Sequence, residues 1–442
     1  MPTNHRRVVI TGLGLISPVG CSKDALWDAL SSGRSGVGKL EAVPSKYLPT
    51  HVAAEAREFT GDIENFGPLE KEQKKAIRKG LKVMCRECQM GVAAAQLALA
   101  DARLVAGGGA YDPERSGCIF GADYMLTMPE EFSAGINRCR NPEGSFEYDR
   151  WATEGMPQLS PLWLLKYLPN MPASHVAIYN DLRGPNNSIT HREAAANLAI
   201  GEAYRTIVRG SAEAMVVGAT GTRVHPMKTV HAIQTEELVG NGVEPAKASR
   251  PFDKNRSGMV IGEGAGAIVI EELATAKARG ATIYAEIVGH GSSHVADRNC
   301  VAHRDVALSN VMRNCLRGAD ISPSDVGHIH AHGLSTRSCD IDEAKAIREV
   351  FGPASDRVPV TAAKSYFGNL GAGSGMIELI ASVLALGKGQ LFPILNYETP
   401  DPECPIKVAA PDNGAGSPGA SFLNLSVTPQ GQASGVLVQA MG

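Results

Sequence analysis

One acidic residue stands where an extended stretch gives way to an apolar helix. Gly184-Pro185-Asn186-Asn187-Ser188-Ile189-Thr190 runs into His191-Arg192-Glu193, and an alanine-rich segment follows from Ala194 to Arg209. A strand over 187–190 and a helix over 194–209 place the Glu193 carboxylate at a helix N-terminus. Unpaired N–H groups and the helix dipole stabilise negative charge there, and a stabilised carboxylate is a weak nucleophile. Cys85 and Cys88 form a lone CxxC among Met84, Met90 and an alanine-rich run to Ala100. No second pair has metal-ligand spacing, so these sulfurs read as ordinary helix thiols and no metal site is expected. Gly262-Glu263-Gly264-Ala265-Gly266 leads into a strand, whereas a dinucleotide fingerprint follows a strand and opens a helix. Gly368-Asn369-Leu370-Gly371-Ala372-Gly373 does precede a helix, but without an acidic ribose partner downstream; it reads as a close-packed turn.

The elements that position these residues alternate between strand and helix, which predicts an α/β fold. Val8–Thr11 reads as a buried strand ending in a turn at Gly12–Gly14. A helix over 85–104 and a strand over 116–121 follow. Strands at 187–190, 214–217 and 265–270 complete the first half, with the helix 194–209 between them. The second half repeats the order: a strand over 282–288 before Gly289-His290-Gly291, a helix over 306–317 and strands at 326–330 and 358–362. The helix 375–386 and strands near 421–427 and 435–439 close the chain. The repetition implies a duplicated unit, residues 1–272 and 273–442, with loops meeting at the seam. Long connections at 40–70, 122–172 and 221–258 are expected to build partner or substrate surfaces.

The bulk properties exclude several classes of function. The chain has 442 residues, 43% hydrophobic and 20% charged, with a formal net charge of -3. That balance predicts neither a nucleic-acid surface nor an acidic tail. The short basic clusters at His5-Arg6-Arg7 and Lys71–Lys82 read as solvated faces. No stretch approaches the ~20 apolar residues of a membrane span, and the N-terminus lacks a secretory pattern. Nine scattered cysteines read as reduced thiols of a cytoplasmic protein.

Six ordered motifs carry a resemblance. They are Val8–Gly14, Ser249-Arg250-Pro251-Phe252-Asp253-Lys254, Gly262–Gly266, Ala331-His332-Gly333, Ala363-Lys364-Ser365 and Asn396–Pro405. In sequence and order they resemble the β-ketoacyl-acyl carrier protein synthases, closest to the elongating members, from about Arg7 to Val438. The resemblance implies the thiolase-like five-layered αβαβα fold and a homodimer, or a heterodimer with an active ketosynthase. Acyl carrier protein is the implied delivery partner. It implies no cofactor of the chain's own, because the substrate rides on the carrier's phosphopantetheine arm.

Carried over position by position, the resemblance places Glu193 where the family has its nucleophilic cysteine. His332 matches the histidine that supports malonyl decarboxylation, Asn369 stands at the second catalytic histidine, and Lys364 keeps the family lysine with an implied ion pair. Asp340 and Glu343 are expected to brace the histidine loop, and His328 and His330 to be packed strand residues. Leu334 replaces a hydroxyl that would meet the pantetheine arm, while Thr336 keeps the other. Val427-Thr428-Pro429-Gln430-Gly431 replaces the family's glycine-rich loop, near the atypical Gly/Pro-rich stretch 408–420. Pro429 then falls where a backbone N–H would complete the oxyanion hole, and proline has none.

With nucleophile, oxyanion donor and one pantetheine contact all changed, ordinary condensation is expected to be absent. The first expectation is a non-condensing partner subunit like a polyketide chain-length factor. The alternatives are a malonyl-acyl carrier protein decarboxylase, a hydrolase using Glu193 and His332, and a scaffold that binds acyl carrier protein without chemistry.

Overall fold

The computed structural model describes residues 6–104, 111–411 and 416–441. His5 of the first basic cluster and 412–415 of the Gly/Pro-rich stretch lie outside them. The first half contributes strands β1 (Val8–Ile16), β2 (Ser116–Ala122), β3 (Asn186–Thr190), β4 (Ala214–Thr222) and β5 (Ile261–Glu272). The second contributes β6 (Ala285–His294), β7 (His328–His330), β8 (Val360–Thr361), β9 (Ser421–Val427) and β10 (Gln432–Gln439).

The two sets are wired alike. In the first, the order is β1-β5-β4-β2-β3, antiparallel from β1 to β4 and parallel from β4 to β3. In the second, β6-β10-β9-β7-β8 repeats both the order and the polarity. A short antiparallel register, Val8 to Ile287 through Ile10 to Ala285, joins the halves along β1 and β6.

Helices complete the layers. α1 (Arg86–Asp101) lies across β1, β4 and β5 on one outer face, and α3 (Arg304–Ala319) lies across β6 and β10 on the other, with α4 (Arg337–Phe351) beside it. Between the sheets run α2 (Ala195–Val208) and α5 (Ser374–Lys388), each touching strands of both halves and each other. Residues Ser374 to Ala385 of α5 are buried all round, as a helix enclosed on every side requires. The result is the αβαβα sandwich.

The glycines behave differently from the expectation. Gly12 and Gly14 do not end β1, which continues to Ile16. A Cβ on Gly12 would stand 2.3 Å from the Ala98 carbonyl oxygen, and one on Gly14 would stand 2.1 Å from that of Ala94. These glycines let α1 press onto the strand. Gly262–Gly266 likewise lies inside β5, which begins at Ile261 rather than at Ala265. A Cβ on Gly262 would meet the Phe367 carbonyl oxygen at 2.9 Å, so this glycine admits the 367–373 segment. In β6, too, the chain runs through Gly289 and Gly291 without turning.

The long connections are more structured than their composition suggests. Pro129–Arg138, Met171–Asn180 and Pro226–Thr235 are helices, each with proline in its first turn. Proline favours that position because its missing N–H has no helical partner there anyway.

Candidate functional site

Glu193 sits in a single 3-10 turn, Arg192–Ala194, between β3 and α2, and is 1% exposed. Arg192 before it has φ 49, a left-handed conformation that a non-glycine residue adopts only under constraint. The carboxylate is closely held. Arg223, at the end of β4 and equally buried, donates to Glu193 Oε1. Asn369 Nδ2 donates to the same oxygen at 3.0 Å, and Arg192 Nε lies 3.5 Å from Oε2.

Two further carboxylates lock the arginines. Glu236 Oε1 accepts from Arg192 Nη2 at 2.6 Å and from Arg223 Nη1 at 3.1 Å. Asp123, also buried, is 3.9 Å from Arg223 Nη2. Burial would by itself push the Glu193 carboxyl up, but the Arg223 and Arg192 guanidinium groups and the Asn369 amide outweigh it. They hold it well below the usual carboxylate range. Arg223, Arg192, Glu236 and Asp123 carry no sequence signal as site residues. Arg223 lies thirty positions from its partner, so only the packing of β4 against α2 brings the two together.

Because the folded carboxyl titrates below its ordinary value of 4.5, Glu193 contributes stability that is fully present above pH ~4.5. The contribution is lost as pH falls from there toward the folded value. The stability difference between wild type and Glu193→Gln is therefore expected to be constant from pH 7 to pH 5 and to shrink below pH ~4. Urea unfolding at stepped pH measures it, and a difference that does not change with pH would contradict the ionised pair.

The second cluster centres on His332 and Lys364, both buried. Lys364 Nζ donates to the His332 carbonyl at 2.7 Å and to Glu378 Oε1 at 2.5 Å, and lies 3.2 Å from His332 Nδ1. An ammonium only donates, so Nδ1 is the acceptor and Nε2 carries the ring proton. Burial first, and Lys364 next, lower the His332 pKa well below its ordinary value; the ring is a neutral N–H donor at pH 7. Glu193 and His332 are close enough to shift each other's titration.

The loop after His332 is braced as its acidic residues suggested. Glu343 accepts from the backbone N–H of His332 at 2.7 Å and of Gly333 at 2.8 Å. Asp340 accepts from Leu334, Ser335 and Phe252 at 2.8–3.1 Å. Leu334 and Thr336 lie buried in this loop, with Thr336 at the N-terminal boundary of α4. His328 and His330 are packed strand residues that share the Ser382 hydroxyl.

Asn369 is pinned to the start of β5: its N–H meets the Val260 carbonyl at 2.8 Å, and its carbonyl accepts from Gly262 at 2.9 Å. Its amide donor goes to Glu193 and the Met259 sulfur, and its Oδ1 accepts from Gly371. Pro429 sits half-buried in the tight β9–β10 turn, where Thr428 donates to Gln432 at 2.8 Å and Gly431 to Thr428 at 3.0 Å. Gln430 of that turn accepts from Arg192 Nη1 at 3.4 Å, so the turn borders the residue preceding Glu193. Glu193, Asn369, His332 and Lys364 thus share one buried region at the seam, and the Pro429 turn closes against it through Arg192.

Comparison with known proteins defines the class. The pattern of the beta-ketoacyl synthase N-terminal domain matches residues 5–276, and that of the C-terminal domain matches residues 284–398. The chain is similar to 3-oxoacyl-[acyl-carrier-protein] synthase 2 of Coxiella burnetii, 35% identical over 405 residues covering 91% of each protein. It is also 32% identical to the Synechocystis protein of the same name over 408 residues, 91% of this chain and 90% of that one.

Among solved structures, a chain of the AntDE:AntF assembly superposes with TM-score 0.80 at 27% identity, covering 99% of this chain and 100% of that one. That assembly is a type II polyketide acyl-carrier protein in complex with its ketosynthase bound to the hexaketide. A beta-ketoacyl synthase from Burkholderia phymatum gives 0.81 at 26% identity over 99% and 100%. The ishigamide ketosynthase/chain length factor shares the fold, with TM-score 0.81 at 24% identity over 99% and 100%. This chain belongs to the β-ketoacyl synthase family.

Proposed function

We propose that this chain is a non-condensing member of the family that works as the partner subunit of an active ketosynthase, in the manner of a chain-length factor. The observation that carries the reading is the state of Glu193. Its carboxylate is buried, ionised and bonded to Arg223 and Asn369, with Arg192 alongside. A carboxylate so held is a poor nucleophile, and its low pKa makes it a poor general base for hydrolysis. It also takes up the Asn369 amide, leaving His332 without a second donor for a thioester oxygen.

A partner role needs a face to dock, and β3 supplies one. It ends the sheet order, pairs with β2 alone among the described strands, and is half exposed. Ile178 is 71% exposed, on the helix packed against β3, and Leu162 and Leu164 lie exposed on the segment leading to it. An unpaired strand edge flanked by apolar side chains is a template for strand addition. Acyl carrier protein is the third member of the proposed assembly, a reading supported by the AntDE:AntF relative, a ketosynthase in complex with its acyl-carrier protein.

The test is co-purification of the tagged chain from its own cells. A stoichiometric complex with a cysteine-bearing ketosynthase is expected; a chain recovered only as homodimers would refute the proposal. One observation favours a second activity: the neutral His332 keeps an N–H that could stabilise an enolate. Malonyl-acyl carrier protein decarboxylation by the purified chain is nonetheless expected to be absent, because the ionised Glu193 repels the malonyl carboxylate. Acetyl-acyl carrier protein as product would reverse that ranking.

A further inference from the structure

The CxxC pair does not belong to the site just described, yet its geometry is that of a dithiol rather than of two unrelated side chains. Cys85 is the N-cap of α1 and Cys88 lies in its first turn. Their sulfurs are 3.6 Å apart, and the Met125 sulfur is 3.8 Å from each. Cys85 is partly exposed and Cys88 is buried. The N-cap side chain meets the first turn naturally, because that is how capping residues reach back to N3. Among the described residues no group of three His, Cys, Asp or Glu side chains could hold a metal ion, so the pair lacks further ligands for a thiolate metal site.

We propose that Cys85 and Cys88 are a reversible modification site that takes a low-molecular-weight disulfide and converts to an intramolecular disulfide. The Cys85 thiolate attacks one sulfur of the disulfide RSSR, forming a mixed disulfide and releasing RS⁻. Cys88 loses its proton to solvent and attacks the Cys85 sulfur, expelling the second RS⁻. Two protein thiols are oxidised, and RSSR takes up the two electrons and two protons to leave as two RSH. The division of labour follows exposure: Cys85 meets the reagent, and Cys88, held protonated by its contact with Cys85 and by burial, resolves it.

The change reaches the segment beneath the proposed partner face. Cys85 N–H donates to the Lys166 carbonyl at 3.3 Å, and the Cys88 thiol contacts the same oxygen at 3.7 Å. Lys166 in turn pairs with Glu131. Oxidation removes the Cys88 S–H from that carbonyl.

The experiment equilibrates the full-length chain in glutathione–glutathione disulfide buffers, quenches with an alkylating agent and maps the peptides by mass spectrometry. A Cys85–Cys88 disulfide, two hydrogens lighter than the dithiol and restored by excess glutathione, is expected. In Cys88→Ser, glutathione should be retained on Cys85 as a lasting mixed disulfide, because the resolving thiol 3.6 Å away is gone. Wild-type peptides that remain fully alkylated at both cysteines under oxidising buffer would overturn the proposal. So would a Cys88→Ser chain that carries no glutathione on Cys85.

Discussion

Glu193→Cys will still make no β-ketoacyl product from acyl- and malonyl-acyl carrier protein. The replacement puts sulfur at the mouth of α2 but does not supply the surroundings that make sulfur useful. Arg223 and Arg192 remain beside it, and two guanidinium groups stabilise a thiolate. A thiolate's intrinsic nucleophilicity falls as its pKa falls. On the proposal that the turn bordering Arg192 holds the oxyanion donor, Pro429 still offers no N–H there, and one missing donor costs about 3 kcal/mol, roughly two decades in rate. Leu334 still offers no hydroxyl on the His332 loop. Product analysis of the carrier protein by mass spectrometry, on a variant whose melting curve shows it folded, measures this. Robust condensation would show that Pro429 and Leu334 matter far less than argued.

The largest stability loss is expected from Arg223→Leu. Removing this guanidinium leaves Glu193, Glu236 and Asp123 facing one another, with Arg192 as the remaining cation in the network. Breaking a buried pair by deleting one partner costs about 3–5 kcal/mol, because the other charge is stranded. The double variant Glu193→Leu/Arg223→Leu removes both charges together, so its loss should fall below the sum of the two single losses. Urea unfolding of the four proteins measures the cycle. An Arg223→Leu chain as stable as wild type would mean the pair contributes nothing to the fold.

How much of this was readable in the sequence varies from residue to residue. The strand-to-helix step into Glu193 was legible because Gly184-Pro185 and the alanine run bracket it, and the helix begins within one residue of the expected position. Asp340 and Glu343 were legible as braces because the His332-loop N–H groups they hold lie within eleven residues, whereas the bond of Asp340 to Phe252, 88 residues away, left no signal. Gly12 and Gly14 were misjudged as a turn because glycine permits both a bend and a close approach. Only the position of α1 across the sheet decides between the two. The helix Pro226–Thr235 was hidden in a polar segment, although His225 before a first-turn proline is a capping arrangement. Arg223 was not legible at all. A buried ion pair thirty residues apart leaves no periodicity, and nothing in Gly221-Thr222-Arg223 distinguishes a site arginine from a strand-end cation.

The central claim is that no acyl group is carried on this polypeptide. Its most direct test mixes the chain with the proposed partner synthase and long-chain acyl-acyl carrier protein, then digests both subunits and maps them by mass spectrometry. Acyl mass is expected on the partner's active-site peptide alone, with the peptide containing Glu193 unmodified. An acyl group recovered on this chain during turnover would contradict the account.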